Sequence, residues 1–286
     1  MWDGRSNIRS IILRRSGLIN PVCKEIVLER GGRAERCVIL LHGFTNCPAM
    51  YRQLAVRLYE LGSNVYVPLL PRHGLQDRLA PDLAELKAAE LTRACVDALA
   101  RGTQLGEKVT VAGISLGAVL AAWLAQRRPE VDRAVLVAPI FCAPHVPEWL
   151  SDGLARLSEL LPNFWLWWDP KAKAAVKGPP HAYPRFPTRA YAEMLKLGYE
   201  VRRAARSEPP RARDLRVVIN QNDPAVNNKA TLRLVEQWRR HGAQASLYQF
   251  PKEQGLLHDL ISPDQSYQRI DVVYPVLIDQ MTRAVP

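Results

Sequence analysis

Short apolar runs that alternate with longer amphipathic runs constrain this sequence more than any other feature. The candidate strands are rich in Val, Ile or Leu and lie at 37–41, 64–69, 108–112, 133–138, 215–220 and 245–250. The candidate helices lie at 48–61, 81–101, 116–126, 231–241 and 266–283. Strands that are apolar along their whole length are typical of a parallel sheet covered on both faces. The alternation therefore predicts an α/β fold, with a mostly parallel sheet and helices on both faces, and residues 24–30 are a candidate for an added antiparallel edge strand.

The alternation is interrupted between residues 143 and 213. This stretch contains many prolines and four of the seven tryptophans, which are Trp149, Trp165, Trp167 and Trp168. A connection of about seventy residues between two strands is too long for a plain loop. We therefore predict three parts, an N-terminal core segment (1–142), an inserted cap subdomain (143–213) and a C-terminal core segment (214–286).

Composition and charge narrow the class of protein. Hydrophobic residues make up 48% of the 286 residues and charged residues 23%, as in soluble globular proteins. No apolar run approaches the roughly 20 residues that span a bilayer. The N-terminus has only a short apolar patch at 11–13, so we expect no secretory signal and predict a cytoplasmic protein.

The net charge of +11 is concentrated in part between residues 171 and 216. Such a surplus forms either a solvated basic face or a weak contact of the cap with an acidic membrane surface. We do not expect nucleic-acid binding, because no aromatic residues alternate with the arginines and no known nucleic-acid module is present. The sequence predicts no particular oligomeric state.

The five cysteines are odd in number and lack a Cys-x-x-Cys pair. They form neither a metal-ligand pattern nor an obvious disulfide framework. We therefore expect buried thiols and no metal site. The residues concerned are Cys23, Cys37, Cys47, Cys95 and Cys142.

The sharpest motif is Gly113-Ile114-Ser115-Leu116-Gly117, which lies between a candidate strand and a candidate helix. A serine on a tight strand-to-helix turn has a strained backbone, and small residues two positions away on each side prevent clashes. The turn also places a helix N-terminus beside the serine oxygen, where the helix dipole favours negative charge. The alternative is a chance match, but this context favours Ser115 as a nucleophile.

A second motif, Leu40-Leu41-His42-Gly43-Phe44, stands at the end of an earlier candidate strand. A tetrahedral intermediate needs two N–H donors directed at its oxyanion. The backbone N–H groups of Leu116 and Phe44 are the candidates. The alternative is a simple glycine turn with His42 in the core.

The base must be one of six histidines. His258 lies between the last candidate strand and the last candidate helix, which fits the chain order Ser, Asp, His. The nearest competitor is His73, and the others are His42, His145, His181 and His241.

The acid that orients the base should follow the strand before the base's own strand. Asp223 occupies that place, although an Asp before a proline is also a common turn former. Asp259 is too close to His258 along the chain to be its partner, and Asp264 is a reserve candidate.

These motifs resemble those of the α/β-hydrolase superfamily, and within it those of bacterial carboxylesterases and monoacylglycerol-lipase-like enzymes. The matching stretches are 40–45, 71–74, 113–117, 222–226 and 258–261. The resemblance implies the α/β-hydrolase fold, a triad of Ser115, His258 and Asp223, and an oxyanion hole from Phe44 and Leu116. It also implies that neither a metal nor an organic cofactor is needed. Residues 143–213 match only in serving as a cap.

We expect a carboxylic ester hydrolase that acts through an acyl-enzyme, on a small-molecule partner such as a short to medium acyl ester or a monoacylglycerol. Two alternatives stay open, namely a thioesterase or amidase with the same triad, and a non-catalytic ligand-binding member of the fold. The candidates for an apolar substrate pocket are His42, Trp149, Trp165 and Trp168, although each tryptophan taken singly is as well explained by core packing.

Overall fold

The predicted strands and helices are present in the computed structural model, which describes residues 17–171 and 179–283. The strands are β1 (Ile26–Leu28), β2 (Ala34–Leu41), β3 (Asn64–Val67), β4 (Gly106–Ile114), β5 (Arg133–Val137), β6 (Trp165–Trp167), β7 (Arg185–Pro187), β8 (Asp214–Asn220) and β9 (Ala245–Phe250). The α-helices are α1 (Arg52–Glu60), α2 (Ala88–Leu105), α3 (Leu116–Arg127), α4 (Glu148–Arg156), α5 (Thr188–Ser207), α6 (Asn228–Arg240) and α7 (Ile270–Thr282). Short 3₁₀ turns lie at Pro21–Cys23, Pro48–Tyr51, Pro81–Glu85 and Lys252–Gln254.

Seven strands form one sheet in the order β1-β3-β2-β4-β5-β8-β9. The edge strand β1 is antiparallel to β3, and the other neighbours are parallel. This arrangement confirms the predicted α/β class, with its mostly parallel sheet and antiparallel edge. Because the carboxyl ends of parallel strands meet at one edge, the loops after β2, β4, β8 and β9 gather there.

Helices cover both faces of this sheet because its strands are apolar on both sides. Along β2, Val38 and Leu40 pack into one buried cluster, whereas Ile39 and Leu41 pack into the other. The first cluster includes residues of α1 and α7, and the second includes residues of α2, α3, α5 and α6. Each fully buried Val, Leu or Ile contributes about 1.5–3 kcal/mol relative to an exposed one. In the described part of the chain no helix has the length and apolar character needed to cross a membrane.

The predicted cap segment is more regular than its sequence suggests. It contains α4, an antiparallel hairpin of β6 and β7, and the 20-residue helix α5. Val201 and Ala205 of α5 are buried in the same cluster as residues of α3. At Gly198 a Cβ atom would lie 2.4 Å from the carbonyl oxygen of Phe141, so the helix backbone touches the chain that leaves β5. The second half of this segment therefore packs on the core.

The expectation of five free thiols is wrong for one pair, because Cys23 and Cys47 form a disulfide. The two residues belong to different loops, and only the fold brings them together. The remaining cysteines, Cys37, Cys95 and Cys142, are free and buried as expected. Burial raises the pKa of the Cys142 thiol to about 11, so this group stays protonated and unreactive at neutral pH.

Gly117 generates a first prediction about stability. A Cβ atom at this position would lie 1.9 Å from the carbonyl oxygen of Leu41, where α3 meets the end of β2. Gly117→Ala should therefore push the helix from the strand and cost at least about 1–3 kcal/mol, which thermal melting would record as a fall in Tm.

Gly153→Ala in α4 is the matched control, because a Cβ atom there meets nothing within 4 Å. Replacing this helical glycine should be neutral, or stabilise by about 0.5–1 kcal/mol. Equal melting temperatures for the Gly117→Ala variant and the unmodified chain would contradict the described contact between α3 and β2.

Candidate active site

Ser115 lies at the sharp turn between β4 and α3. Its backbone has φ 56° and ψ −113°, a conformation that costs a non-glycine residue about 1–3 kcal/mol. Two hydrogen bonds hold it there, from the Ser115 N–H to the carbonyl of Val137 (3.0 Å) and from the Val119 N–H to the carbonyl of Ser115 (3.1 Å). A Cβ atom at Gly113 would lie 2.2 Å from the carbonyl carbon of Gly117, so the turn closes only with glycine there.

The backbone N–H groups of Leu116 and Phe44 lie beside this turn. Neither donates a hydrogen bond to an acceptor among the described residues. Leu116 is the first residue of α3, so its N–H has no partner within the helix. Phe44 follows β2, which pairs directly with β4 through Leu41 and Gly113. A Cβ atom at Gly43 would lie 4.0 Å from the Ser115 Cβ, which places the Phe44 loop against the serine.

His258 and Asp223 meet from the loops after β9 and β8. The His258 Nδ1 lies 2.7 Å from the Asp223 Oδ2, and the Asp223 side chain is fully buried while that of His258 is 28% exposed. The other carboxylate oxygen accepts the Ala225 N–H at 2.9 Å. Asn220 ties the two loops together, since its Nδ2 donates to the carbonyl of Leu256 at 2.8 Å. With Nδ1–H donated to the carboxylate, His258 presents its Nε2 lone pair as a base.

The charges around His258 raise its pKa. Burial alone would lower the pKa of this imidazole, but the hydrogen bond and charge of Asp223, with the charge of Asp259, outweigh burial. The result is a pKa above the ordinary 6.5. The same interaction stabilises the imidazolium that forms when a base accepts a proton.

Ser115 and His258 line the same cavity, which has a volume of about 470 Å³. No hydrogen bond joins these two described side chains; in the absence of substrate such contacts are often long and tighten when it binds. The core contributes Phe44, Ile114 and Ile140 to the wall. The predicted cap segment contributes Trp167, Trp168, Pro179, Ala182, Tyr183, Pro184 and Met194.

Of the four predicted pocket residues, Trp168 lines this cavity, and His42, Trp149 and Trp165 do not. His42 is buried between two loops, where its Nδ1 lies 3.0 Å from the carbonyl of Gly43 and its Nε2 accepts the Leu70 N–H at 3.0 Å. Trp149 is 75% exposed on α4. Trp165 packs under the guanidinium of Arg185, 4.3 Å from the ring centroid. A count of tryptophans does not reveal which side of a cap faces the cavity.

His73, the competing base, does not line the cavity. Its Nδ1 lies 2.7 Å from the carbonyl of Pro71, and its ring stacks on Tyr183 with the centroids 6.3 Å apart. Burial lowers the pKa of His73 to about 4, so it stays neutral. His73 therefore stabilises its own loop and is not placed to act as a base in this cavity.

Several residues that face the cavity were not predicted from the sequence. Asp259 lines it, and its Oδ1 accepts the N–H groups of Ile261 and Ser262. Tyr183 lines it while its hydroxyl accepts the Leu75 N–H at 2.8 Å. Tyr183 belongs to no motif, whereas Asp259 lies in the stretch 258–261 but is set aside by the sequence analysis as too close to His258 to be its partner. The folded loops bring both side chains to the site. Within residues 17–171 and 179–283, no group of three His, Cys, Asp or Glu is arranged to hold a metal ion.

Several solved structures are similar to this chain over most of its length. The structure is similar to one of the metagenome-derived lipolytic enzymes LipS and LipT, with a TM-score of 0.67, 19% identity and coverage of 92% of this chain and 96% of that chain. The monoacylglycerol lipase of Paleococcus ferrophilus has a TM-score of 0.67 at 17% identity, over 90% of this chain and 98% of that chain. The thioesterase domain from the curacin biosynthetic pathway has a TM-score of 0.54 at 14% identity, over 90% and 98% of the two chains.

At these identities the structural neighbours show the fold. Among curated protein sequences, none matches this chain significantly. The sequence model of the alpha/beta hydrolase family matches residues 38–260, which is well over half of the chain. The chain therefore belongs to the alpha/beta hydrolase family.

Proposed function

We propose that this protein is a serine hydrolase that cleaves carboxylic esters, with Ser115 as nucleophile, His258 as base and Asp223 as the acid that orients the base. The observation that carries the proposal is the shared cavity, which is lined both by a serine with a strained backbone and by an imidazole that is bound to an aspartate. All three members of a triad are present, which argues against a non-catalytic ligand-binding protein of this fold.

In the proposed mechanism, the Ser115 Oγ attacks the ester carbonyl while its proton passes to the His258 Nε2. The oxyanion that forms accepts hydrogen bonds from the N–H groups of Phe44 and Leu116, each worth on the order of 3 kcal/mol of barrier. His258 then gives the proton to the leaving alkoxide, which departs as an alcohol. Water enters by the same route and releases the acid from Ser115, and Asp223 holds the imidazole in its orientation throughout.

The cavity supports an apolar acyl ester as substrate. Its volume of about 470 Å³ and its aliphatic and aromatic wall suit a short to medium acyl ester or a monoacylglycerol. Two neighbours in structure are a lipolytic enzyme and a monoacylglycerol lipase. A thioester is the second candidate, because the same triad serves any acyl transfer and a third neighbour is a thioesterase domain.

The structure also bears on the compartment of the protein and on contact between its cap and a membrane. The cytoplasmic location expected from the sequence is opposed by the Cys23–Cys47 disulfide, which argues for an oxidising compartment, where such bonds persist. Weak contact between the cap and an amphiphilic surface is supported by exposed apolar side chains on α4 and the loop after it, among them Trp149, Leu160 and Phe164.

Replacing the nucleophile tests the proposal most simply. Ser115→Ala should lower kcat on p-nitrophenyl esters by on the order of 10⁴-fold or more, because no hydroxyl is left to form the acyl-enzyme. Ser207→Ala, at the exposed end of α5, is the matched serine control and should retain full activity. Hydrolysis that survives Ser115→Ala would refute the assignment, and p-nitrophenyl thioesters run in parallel decide between the two substrate classes.

The raised pKa of His258 predicts the pH profile. Since the base must be neutral, kcat/KM should rise with pH through an inflection above 6.5 and fall away below it. Asp259→Asn removes one of the charges that raise this pKa, so it should shift the inflection to lower pH. A flat rate between about pH 5 and 8 would exclude His258 as the base.

Two cap tryptophans give a matched pair for the substrate pocket. Trp168→Ala removes part of the cavity wall and should lower kcat/KM for the longer acyl chains by roughly tenfold relative to acetate esters. Trp149→Ala removes an exposed indole outside the cavity and should leave the chain-length profile unchanged. Equal profiles for the two variants would show that acyl chains bind elsewhere.

A further inference from the structure

The turn that presents the Phe44 N–H is strained. It spans residues 43–46, and the Asn46 N–H donates to the carbonyl of Gly43 at 3.2 Å. At its third position Thr45 has φ 65°, in the left-handed region that turns of this kind require and that a β-branched residue disfavours. Such a conformation persists only where the surroundings hold it in place.

The cap supports this turn on one side. The Tyr183 N–H donates to the carbonyl of Thr45 at 2.7 Å, and the Trp168 Nε1–H donates to the Thr45 Oγ1 at 2.8 Å. Both contacts are hydrogen bonds from residues of the cap, so they are lost if the cap moves.

The other side of the turn has a covalent support. Cys47 follows the turn directly, its N–H donates to the Asn46 Oδ1 at 2.8 Å, and its sulfur is bonded to that of Cys23. Both cysteines are fully buried. The disulfide therefore joins the strained turn to the 3₁₀ turn at Pro21–Cys23.

That 3₁₀ turn is itself fixed to the loop after β3. The Asn20 N–H donates to the carbonyl of Gly74 at 2.8 Å, and Ile19 pairs with Leu75. A Cβ atom at Gly74 would lie 2.8 Å from the Cys23 Cβ, so the cysteine rests directly on this loop. The anchor at the far end of the disulfide is thus a packed part of the molecule.

We propose that Cys23 and Cys47 are positioning residues, whose disulfide holds the turn at residues 43–46 so that the Phe44 N–H is directed at the reacting carbonyl. The inference rests on the proposed function of Phe44 in the oxyanion hole. Without the bond, Thr45 relaxes from its left-handed conformation and the adjacent peptide rotates. The chain with the disulfide formed is therefore the fully active form. The free thiols expected from the sequence would imply no such dependence of activity on oxidation.

The test compares a Cys23→Ala/Cys47→Ala double variant with the unmodified chain, well below the melting temperature of both. Because an oxyanion donor acts in the transition state, kcat should fall at least about tenfold while KM changes less than about threefold. The labelling rate of Ser115 by a fluorophosphonate should fall in parallel. Cys95→Ala removes another fully buried sulfur, on α2 and outside the disulfide, and should leave kcat unchanged even where it lowers Tm. A double variant with lower Tm but kcat within twofold of the unmodified chain would overturn the proposal.

Reduction of the unmodified chain provides a second arm that needs no mutation. Dithiothreitol delivers two electrons and two protons to the disulfide and closes to its own cyclic disulfide, so titratable thiols should rise from three to five. The same loss of kcat should accompany this rise, and the double variant should not respond to the reagent. A fully reduced chain with undiminished kcat contradicts the inference.

The labelling readout separates this inference from the proposed ester hydrolysis. Labelling of Ser115 without hydrolysis of any ester would contradict the ester substrate and still measure the effect of the disulfide. Failure of the unmodified chain to be labelled at all would contradict the nucleophile and the inference together.

Discussion

Ser115 keeps its left-handed backbone because the chain packs tightly on both sides of it. The two neighbouring glycines allow this packing, since a side chain at either position would not fit. Gly113 closes against Gly117, and Gly117 closes against the carbonyl of Leu41 at the end of β2. These contacts fix the start of α3, so the Leu116 N–H and the loop after β2 stand beside the same hydroxyl. The strain at Ser115 is offset by the burial of α3, whose residues are almost all inaccessible to solvent.

The remaining groups reach the site through the topology of the sheet. Asp223 and His258 follow β8 and β9, two strands that lie beyond β5 from the strand that carries Ser115. Parallel strands bring their carboxyl ends to one edge of the sheet, so loop residues that are far apart in sequence lie close together there. Burial lowers the pKa of the His258 imidazole, but the hydrogen bond and charge of the buried Asp223 carboxylate outweigh this effect and orient the ring.

Much of this arrangement follows from sequence alone, because it depends on local patterns. Runs of neighbouring residues encode the strands, the buried helix α3 and the turn at Ser115. The chain order Ser, Asp, His points to Asp223 and His258 as candidates, and these two residues lie on loops that the structure brings together.

The parts that sequence analysis misses depend on long-range packing. The Cys23–Cys47 bond joins two loops with no shared motif. In the cap, Trp149 faces solvent and Trp167 faces the cavity. These directions depend on how α4 and the β6–β7 hairpin pack, and the pattern of hydrophobic residues in an irregular stretch does not predict that packing. The helix α5 lies within a segment that reads as irregular, yet its buried stripe completes the core beside α3.

A crystal structure of the protein after reaction with a p-nitrophenyl phosphonate would test the central claim most directly. The account predicts a covalent bond from phosphorus to the Ser115 Oγ, with the phosphoryl oxygen about 2.7–3.1 Å from the N–H nitrogens of Phe44 and Leu116. It also predicts the His258 Nε2 within hydrogen-bonding distance of the adduct. A phosphonate on another residue, or a phosphoryl oxygen directed away from both amides, would contradict it.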